Sequence, residues 1–231
     1  MANQVTLSDS LNSALTRSVF DVLTDLGGIP VERLLAGASP TVPAQADLAD
    51  LAKAHANGRL CELVDGMLVE KSMGYRESLL AVIFIEFLSR FARSQKLGLV
   101  SGPDGFVQLF PSLVRGPDVA FISWERLPGR KPPTEAYPTI VPELVIEIIS
   151  AGNTRAEMAR KRREYFQAGV RLVWMVDPLR RSVAVFTSVT ESTVLQDDQS
   201  LEGGDVLPGL AIPLPEVFAV LDARPQQQPG A

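Results

Sequence analysis

The chain has 231 residues, 46% of them apolar and 21% charged, with a net charge of −5 and a pI near 5.0. That length supports one large core, and no Gly/Ser/Pro-rich linker divides its middle. A single cysteine, Cys61, and a single histidine, His55, argue against a disulfide framework, a Cys-rich zinc site, a His-built metal centre and a Ser-His-Asp triad, while the acidic balance excludes a surface that attracts polyanions everywhere.

Residues 10–25 place Leu11, Leu15, Val19, Val22 and Leu23 at helical spacing. The Gly/Pro/Ala-rich stretch 28–45 reads as irregular, and "ADLADLAKAHA" as a short helix stopped by Asn57-Gly58, with His55 on its solvated face. "LCELVDGMLVEK" is a hairpin signal, because a two-residue turn at Asp65-Gly66 needs positive φ. "YRESLLAVIFIEFLSRFARS", residues 75–94, is helical and apolar almost all round, which predicts burial against a sheet. Its apolar part is broken by Glu86 and Arg90 and is too short to span a bilayer.

Residues 97–101 and 105–110 read as a strand pair, and 117–123 as a further strand before a proline-rich loop. A strand at 143–149 follows. Thr154 can cap a helix that runs to Ala168 and stops at Gly169. "VRLVWMVD" is a continuous apolar strand, "SVAVFTS" and "STVLQ" an antiparallel extension, and "GGDVLPGLAIPLPEVF" a loop with a short terminal helix. This order predicts an α/β protein with a mixed sheet and helices on its faces. The expected organisation is an N-terminal helical extension over 1–58, a main domain over 59–222 and a flexible tail over 223–231.

Charged residues at four places in the chain invite a closer reading. Glu147 shares one face of its strand with Val145 and Ile149. A buried carboxylate there needs a cation, either a basic side chain (an arginine in the plainest reading) or a metal, because an unpaired one costs several kcal/mol. Asp118 follows Pro117 at the start of a strand, where a turn or cap residue is the ordinary reading. Lys161 and Arg162 interrupt the apolar stripe of the 154–168 helix; their stems could cover core while the heads reach water, or Lys161 could pair with Glu157. Glu77 lies in the first turn of the 75–94 helix, where the helix dipole favours a carboxylate in any case.

Taken together, Asp118 opening one strand, Glu147 within a later one and Lys161 on the helix that follows resemble the PD-(D/E)xK nuclease superfamily, with its restriction-endonuclease-like fold. The segments "CELVDGMLVE", "VRGPDVAFIS", "PELVIEIISAGNT" and "KRREYFQAGVRLVWMVDP", with the closing "GGDVLPGLAIPL", resemble the bacterial Uma-two family within it, over roughly residues 60–218. The resemblance implies a divalent metal, Mg²⁺ or Mn²⁺, held by Asp118 and Glu147, with Lys161 at the attacking water and the developing phosphoryl charge. It implies a supporting acidic role for Glu77 and a nucleic-acid substrate, DNA before RNA. Two departures stand out. Ile149 occupies the place of the usual strand lysine, and "GYRES" puts Glu77 where many members carry a histidine.

The implied activity is endonucleolytic cleavage of DNA. The basic run Arg155, Arg160, Lys161, Arg162 and Arg163 is a candidate contact, and a two-fold dimer would suit cleavage of both strands. Alternatives are hydrolysis of another phosphate ester, and a non-catalytic interaction protein on a nuclease-like fold in which the same three residues form a structural ion-pair network. The composition predicts a cytoplasmic protein with no membrane association; the first twenty residues show no signal peptide.

Overall fold

The computed structural model describes residues 19–35 and 46–222. The tail over 223–231 and most of the helix expected over 10–25 therefore lie outside the described residues. A helix α1 (Val19–Asp25) and a short 3-10 turn precede α2 (Leu48–Ala56). The hairpin β1 (Cys61–Val64) and β2 (Met67–Glu70) turns through Asp65 and Gly66, both at positive φ, as the Asp-Gly pair predicts. Next come α3 (Tyr75–Ser94), β3 (Gly98–Ser101), β4 (Val107–Phe110), β5 (Leu113–Arg115) and β6 (Val119–Ser123). The chain then builds β7 (Leu144–Ile148), α4 (Arg155–Ala168), β8 (Leu172–Asp177), β9 (Ser182–Phe186) and β10 (Ser192–Gln196). It closes with the ribbon β11 (Ser200–Glu202) and β12 (Ala211–Pro213), followed by α5 (Leu214–Ala219).

Two sheets carry the fold. The larger runs β10-β9-β8-β7-β6-β3, with β7 and β8 parallel and every other pairing antiparallel. The smaller runs β2-β1-β5-β4. The pairing expected between 97–101 and 105–110 does not form: β3 joins β6 in the large sheet, and β4 joins β5 in the small one. The three-residue β5, too short to show periodicity, takes the position beside β4.

Strand alternation decides what each sheet face holds. In β7, Leu144, Ile146 and Ile148 face a cluster with Leu80, Phe84 and Leu88 of α3 and Val217 and Phe218 of α5. Val145 faces the opposite way, into a cluster with Met158 and Tyr165 of α4 and with Val64, Val69 and Leu113 of the small sheet. The small sheet's other face packs Cys61, Leu63 and Val114 on Leu51 and Ala54 of α2. Helix α4 thus lies against both sheets.

Helix α3 is less enclosed than its composition predicts. Its buried residues form one stripe, whereas Tyr75 and Val82 are 81% and 58% exposed. Helix α4 matches its sequence closely, with a Thr154–Glu157 capping box and Gly169 left-handed at its end. His55 is not a solvated side chain: its Nε2 lies 2.9 Å from the Cys61 carbonyl, its Nδ1 3.0 Å from the Tyr137 hydroxyl, and its ring packs on Phe106.

Candidate active site

The sequence of α4 puts Lys161 and Tyr165 one turn apart, so both side chains reach the same neighbour. That neighbour is Glu147, on the face of β7 turned toward α4. Lys161 Nζ lies 3.1 Å from Glu147 Oε2, and the Tyr165 hydroxyl donates to Oε1. All three side chains are buried. The basic side chain that pairs with Glu147 is Lys161, not the arginine of the plainest reading. Lys161 does not snorkel to water.

Asp118 precedes β6, which pairs with β7 so that Val119 faces Ile146. Its backbone N–H donates to the Ile146 carbonyl at 3.1 Å, and its Oδ2 accepts the Ile148 N–H at 2.8 Å. The side-chain bond runs across to the neighbouring strand rather than to a local turn or cap, and it fixes the carboxylate. The free oxygen, Oδ1, meets Lys71 Nζ at 3.4 Å. Lys71 follows β2, and its ammonium also donates to the Pro103 carbonyl at 3.0 Å. Asp118 is close enough to Glu147 for its charge to raise that carboxyl's pKa.

Glu77 is not part of this constellation. It sits half-buried in the first turn of α3 beside Gly74 and makes no hydrogen bond or ion pair with Asp118, Glu147 or Lys161.

The small sheet supplies two further charges. Alternation in β1 and β5 turns Glu62 and Arg115 toward α4. Glu62, wholly buried, accepts from Arg115 Nη1 at 2.7 Å and the Gly116 N–H at 3.1 Å, and forms an ion pair with Lys161 Nζ at 3.1 Å. Arg115 also donates from Nε to Glu164 at 2.8 Å. Glu164 in turn pairs with Arg160 at 2.6 Å, and Arg160 reaches Asp65 at the exposed rim. Glu157 does not pair with Lys161 but accepts from both terminal Arg33 nitrogens, at 2.9 and 2.8 Å.

Glu62 and Arg115 escaped the sequence reading, yet Glu62 carried the same signal as Glu147: a carboxylate between apolar residues of one short strand. Lys71, at a strand end after Glu70, carried none.

The electrostatics separate the two central carboxylates. Burial opposes ionisation of Glu62, but Lys161, Arg115 and Lys71 overcome it and hold its pKa down to about 2. Burial likewise opposes ionisation of Glu147, and there Lys161 and Tyr165 do not overcome it, since Asp118 and Glu62 add to the penalty; its pKa is raised. Burial works against the Lys161 ammonium, but Glu147 and Glu62 more than offset it, so the amine stays charged. Burial and the adjoining Glu147 hold Tyr165 well above the usual phenol range, so it is a neutral donor. Burial, with Glu70 adding, pushes the Cys61 thiol up to about 11, which leaves it unreactive.

Among the described residues no group of three or more His, Cys, Asp or Glu is arranged to hold a metal. What the site offers is a pair of hard oxygen donors, Asp118 and Glu147. That pair suits Mg²⁺, which takes one or two protein carboxylates and fills its other positions with water and phosphate oxygens. The oxygens facing Lys71 and Lys161 are where positive charge already sits, and Glu147 is under-compensated as it stands.

The basic run of α4 is largely consumed internally. Arg160 and Lys161 belong to the ion network, and Arg162 lies over the Phe186 ring, 4.3 Å from its centroid. Arg155 and Arg163 remain exposed. No helix among the described residues is long and apolar enough to cross a membrane.

A mixed sheet flanked by α3 and α4, with one acidic residue immediately before β6, another within the adjacent β7 and a lysine on the following helix, fits a restriction-endonuclease-like fold. The same fold is found in a protein of Anabaena variabilis whose crystal structure is described as that of "a putative nuclease belonging to DUF820". The two chains are 18% identical, with a TM-score of 0.62 over 70% of this chain and 90% of the other. The chain belongs to the Uma2 family, described as "Putative restriction endonuclease", whose model matches residues 46–215. A search of curated proteins finds no match.

Proposed function

We propose that this protein is a Mg²⁺- or Mn²⁺-dependent endonuclease that hydrolyses phosphodiester bonds of nucleic acid, with DNA as substrate. The observation that carries the reading is the Lys161 ammonium 3.1 Å from Glu147, beside Asp118 on the next strand. Asp118 and Glu147 are the residues to hold the metal, which when bound supplies Lewis acidity and lowers the pKa of a coordinated water. Ile148 N–H and the Tyr165 hydroxyl each fix one carboxylate in orientation. Lys161, kept charged by Glu62 and Glu147, acts as a hydrogen-bond donor to a phosphoryl oxygen rather than as a base. Glu77 has an indirect part at most, through the dipole of α3. Residues 19–35 are proposed to be part of an added layer that braces α4, through Arg33 on Glu157 and Gly27 against the helix start. A cytoplasmic protein acting as a two-fold dimer completes the proposal.

The test is cleavage of supercoiled plasmid, linear duplex, single-stranded DNA and RNA with either metal. Glu147→Gln and Lys161→Met should each lower the rate on the order of a hundred-fold. Folded wild-type protein that cuts none of the four substrates overturns the assignment.

A second reading, a non-catalytic interaction protein, draws on one observation: each carboxylate of the cluster already has a cation partner in the chain. Titration with Mg²⁺ decides between the two. Equal and negligible binding by wild type and Glu147→Gln favours the second.

A further inference from the structure

The buried cluster around Glu147 is balanced by itself. Glu62, Asp118, Glu147 and Glu164 face Lys71, Arg115, Arg160 and Lys161, four charges of each sign joined by ion pairs of 2.5 to 3.4 Å. A divalent cation entering such a cluster alone would leave two unbalanced positive charges among side chains shielded from water, and that is costly. A cation arriving with a phosphate dianion would leave none, and one arriving with a phosphodiester would leave one.

The two lysines are placed to respond to this difference. Each has a second acceptor outside the Asp118–Glu147 pair. For Lys161 it is Glu62 Oε1 at 3.1 Å; for Lys71 it is the Pro103 carbonyl at 3.0 Å, with the Phe106 ring 5.8 Å away. Either ammonium can therefore leave its carboxylate without being stranded. The carboxylates would not lose their orientation, because Ile148 N–H holds Asp118 Oδ2 and the Tyr165 hydroxyl holds Glu147 Oε1. The oxygens the lysines would vacate, Asp118 Oδ1 and Glu147 Oε2, are one from each member of the proposed metal-holding pair.

We propose that Lys71 and Lys161 are internal counter-ions that occupy the carboxylate pair until a phosphate group draws them away, so that metal and phosphate bind with positive cooperativity. The inference rests on the metal-site reading above and adds Lys71, which lies outside the Asp118–Glu147–Lys161 set, as a phosphate-binding residue. It identifies the ligand class as a phosphate mono- or diester oxygen presented together with Mg²⁺.

The experiment is calorimetric titration of the full chain with Mg²⁺, in inorganic phosphate and in chloride at matched ionic strength. Phosphate should tighten Mg²⁺ binding to the wild type by about ten-fold or more, a magnitude ordinary for coupled sites. Glu147→Gln should show no such tightening, which separates the site from Mg²⁺–phosphate association in solution. Lys71→Met should bind Mg²⁺ more tightly than wild type in chloride and should gain less from phosphate. Lys71→Gln repeats this arm if the methionine variant does not fold, and the wild-type comparison needs neither. Mg²⁺ binding equally tight in phosphate and chloride overturns the coupling and leaves the metal site standing. Absence of Mg²⁺ binding in every arm overturns both.

Discussion

Glu62→Gln keeps the shape of a wholly buried side chain and removes its charge. The carboxylate it replaces accepts from Arg115 and the Gly116 N–H and pairs with Lys161, and its pKa is held at about 2 instead of 4.5. At about 1.4 kcal/mol per pKa unit, that difference is about 3 kcal/mol of folding stability at neutral pH. A second route gives a similar figure: removing one partner from a buried ion pair costs about 3–5 kcal/mol, because the other charge is left uncompensated. Here Arg115 would retain only Glu164, and Lys161 only Glu147.

The pH dependence has a definite sign. A carboxyl whose folded pKa is lowered contributes its full stability above the unfolded value. It loses that contribution as pH falls from about 4.5 toward about 2. Urea unfolding at neutral and acid pH measures both effects. Glu62→Gln should unfold at a midpoint about 1 M lower at pH 7 and should lack part of the acid limb that the wild type shows.

Glu147 makes the contrast. Its pKa is raised, so its contribution is greatest below the ordinary carboxylate range and is lost as pH rises through the folded value. Glu147→Gln should therefore stabilise the metal-free protein at neutral pH while abolishing metal binding. A Glu62→Gln protein within about 1 kcal/mol of wild type, less than a single pKa unit, would refute the argument. So would a Glu147→Gln protein as destabilised as Glu62→Gln.

Three further outcomes are expected. Gly27→Ala should destabilise the docking of residues 19–35, because a Cβ would stand 2.4 Å from the Glu157 nitrogen and φ is +93°; the conformational part alone is about 1–2 kcal/mol, read by thermal melting and by new protease sensitivity in that segment. Arg33→Met should leave Glu157 without its bidentate partner. Since Arg33 is the main cause that lowers the Glu157 pKa against burial, the variant should lose stability chiefly above the ordinary carboxylate range and little in acid, measured by melting across pH. Glu77→Gln should reduce cleavage less than ten-fold where Glu147→Gln reduces it about a hundred-fold, and an equal loss would place Glu77 in the site after all.

Much of the candidate site could be read from the chain because a charge within an apolar strand is itself a signal. Glu147 stands between Ile146 and Ile148, and the strand has no turn or edge to excuse it. Lys161 interrupts an apolar helical stripe for the same reason. The elements that bear them were equally legible, since caps and turns are local chemistry: Thr154 and Gly169 bound α4, and Asp65-Gly66 turns the hairpin. His55 and the outer face of α3 were misjudged because burial depends on what the fold brings alongside. Tyr137 reaches His55 from a loop 82 residues away.

The sequence by itself determined most of the helices and strands, though not β5, β11 or β12, and that Glu147 needed a partner, because propensity, capping and periodicity act over a few residues. Only the tertiary structure decided that β3 and β4 enter different sheets, that Glu62 shares Lys161 with Glu147, and that Lys71 stands at Asp118. Such pairings are set by packing between residues far apart in the chain. A lysine near neutral pH carries the same charge in any sequence, and its neighbours alone decide what that charge does.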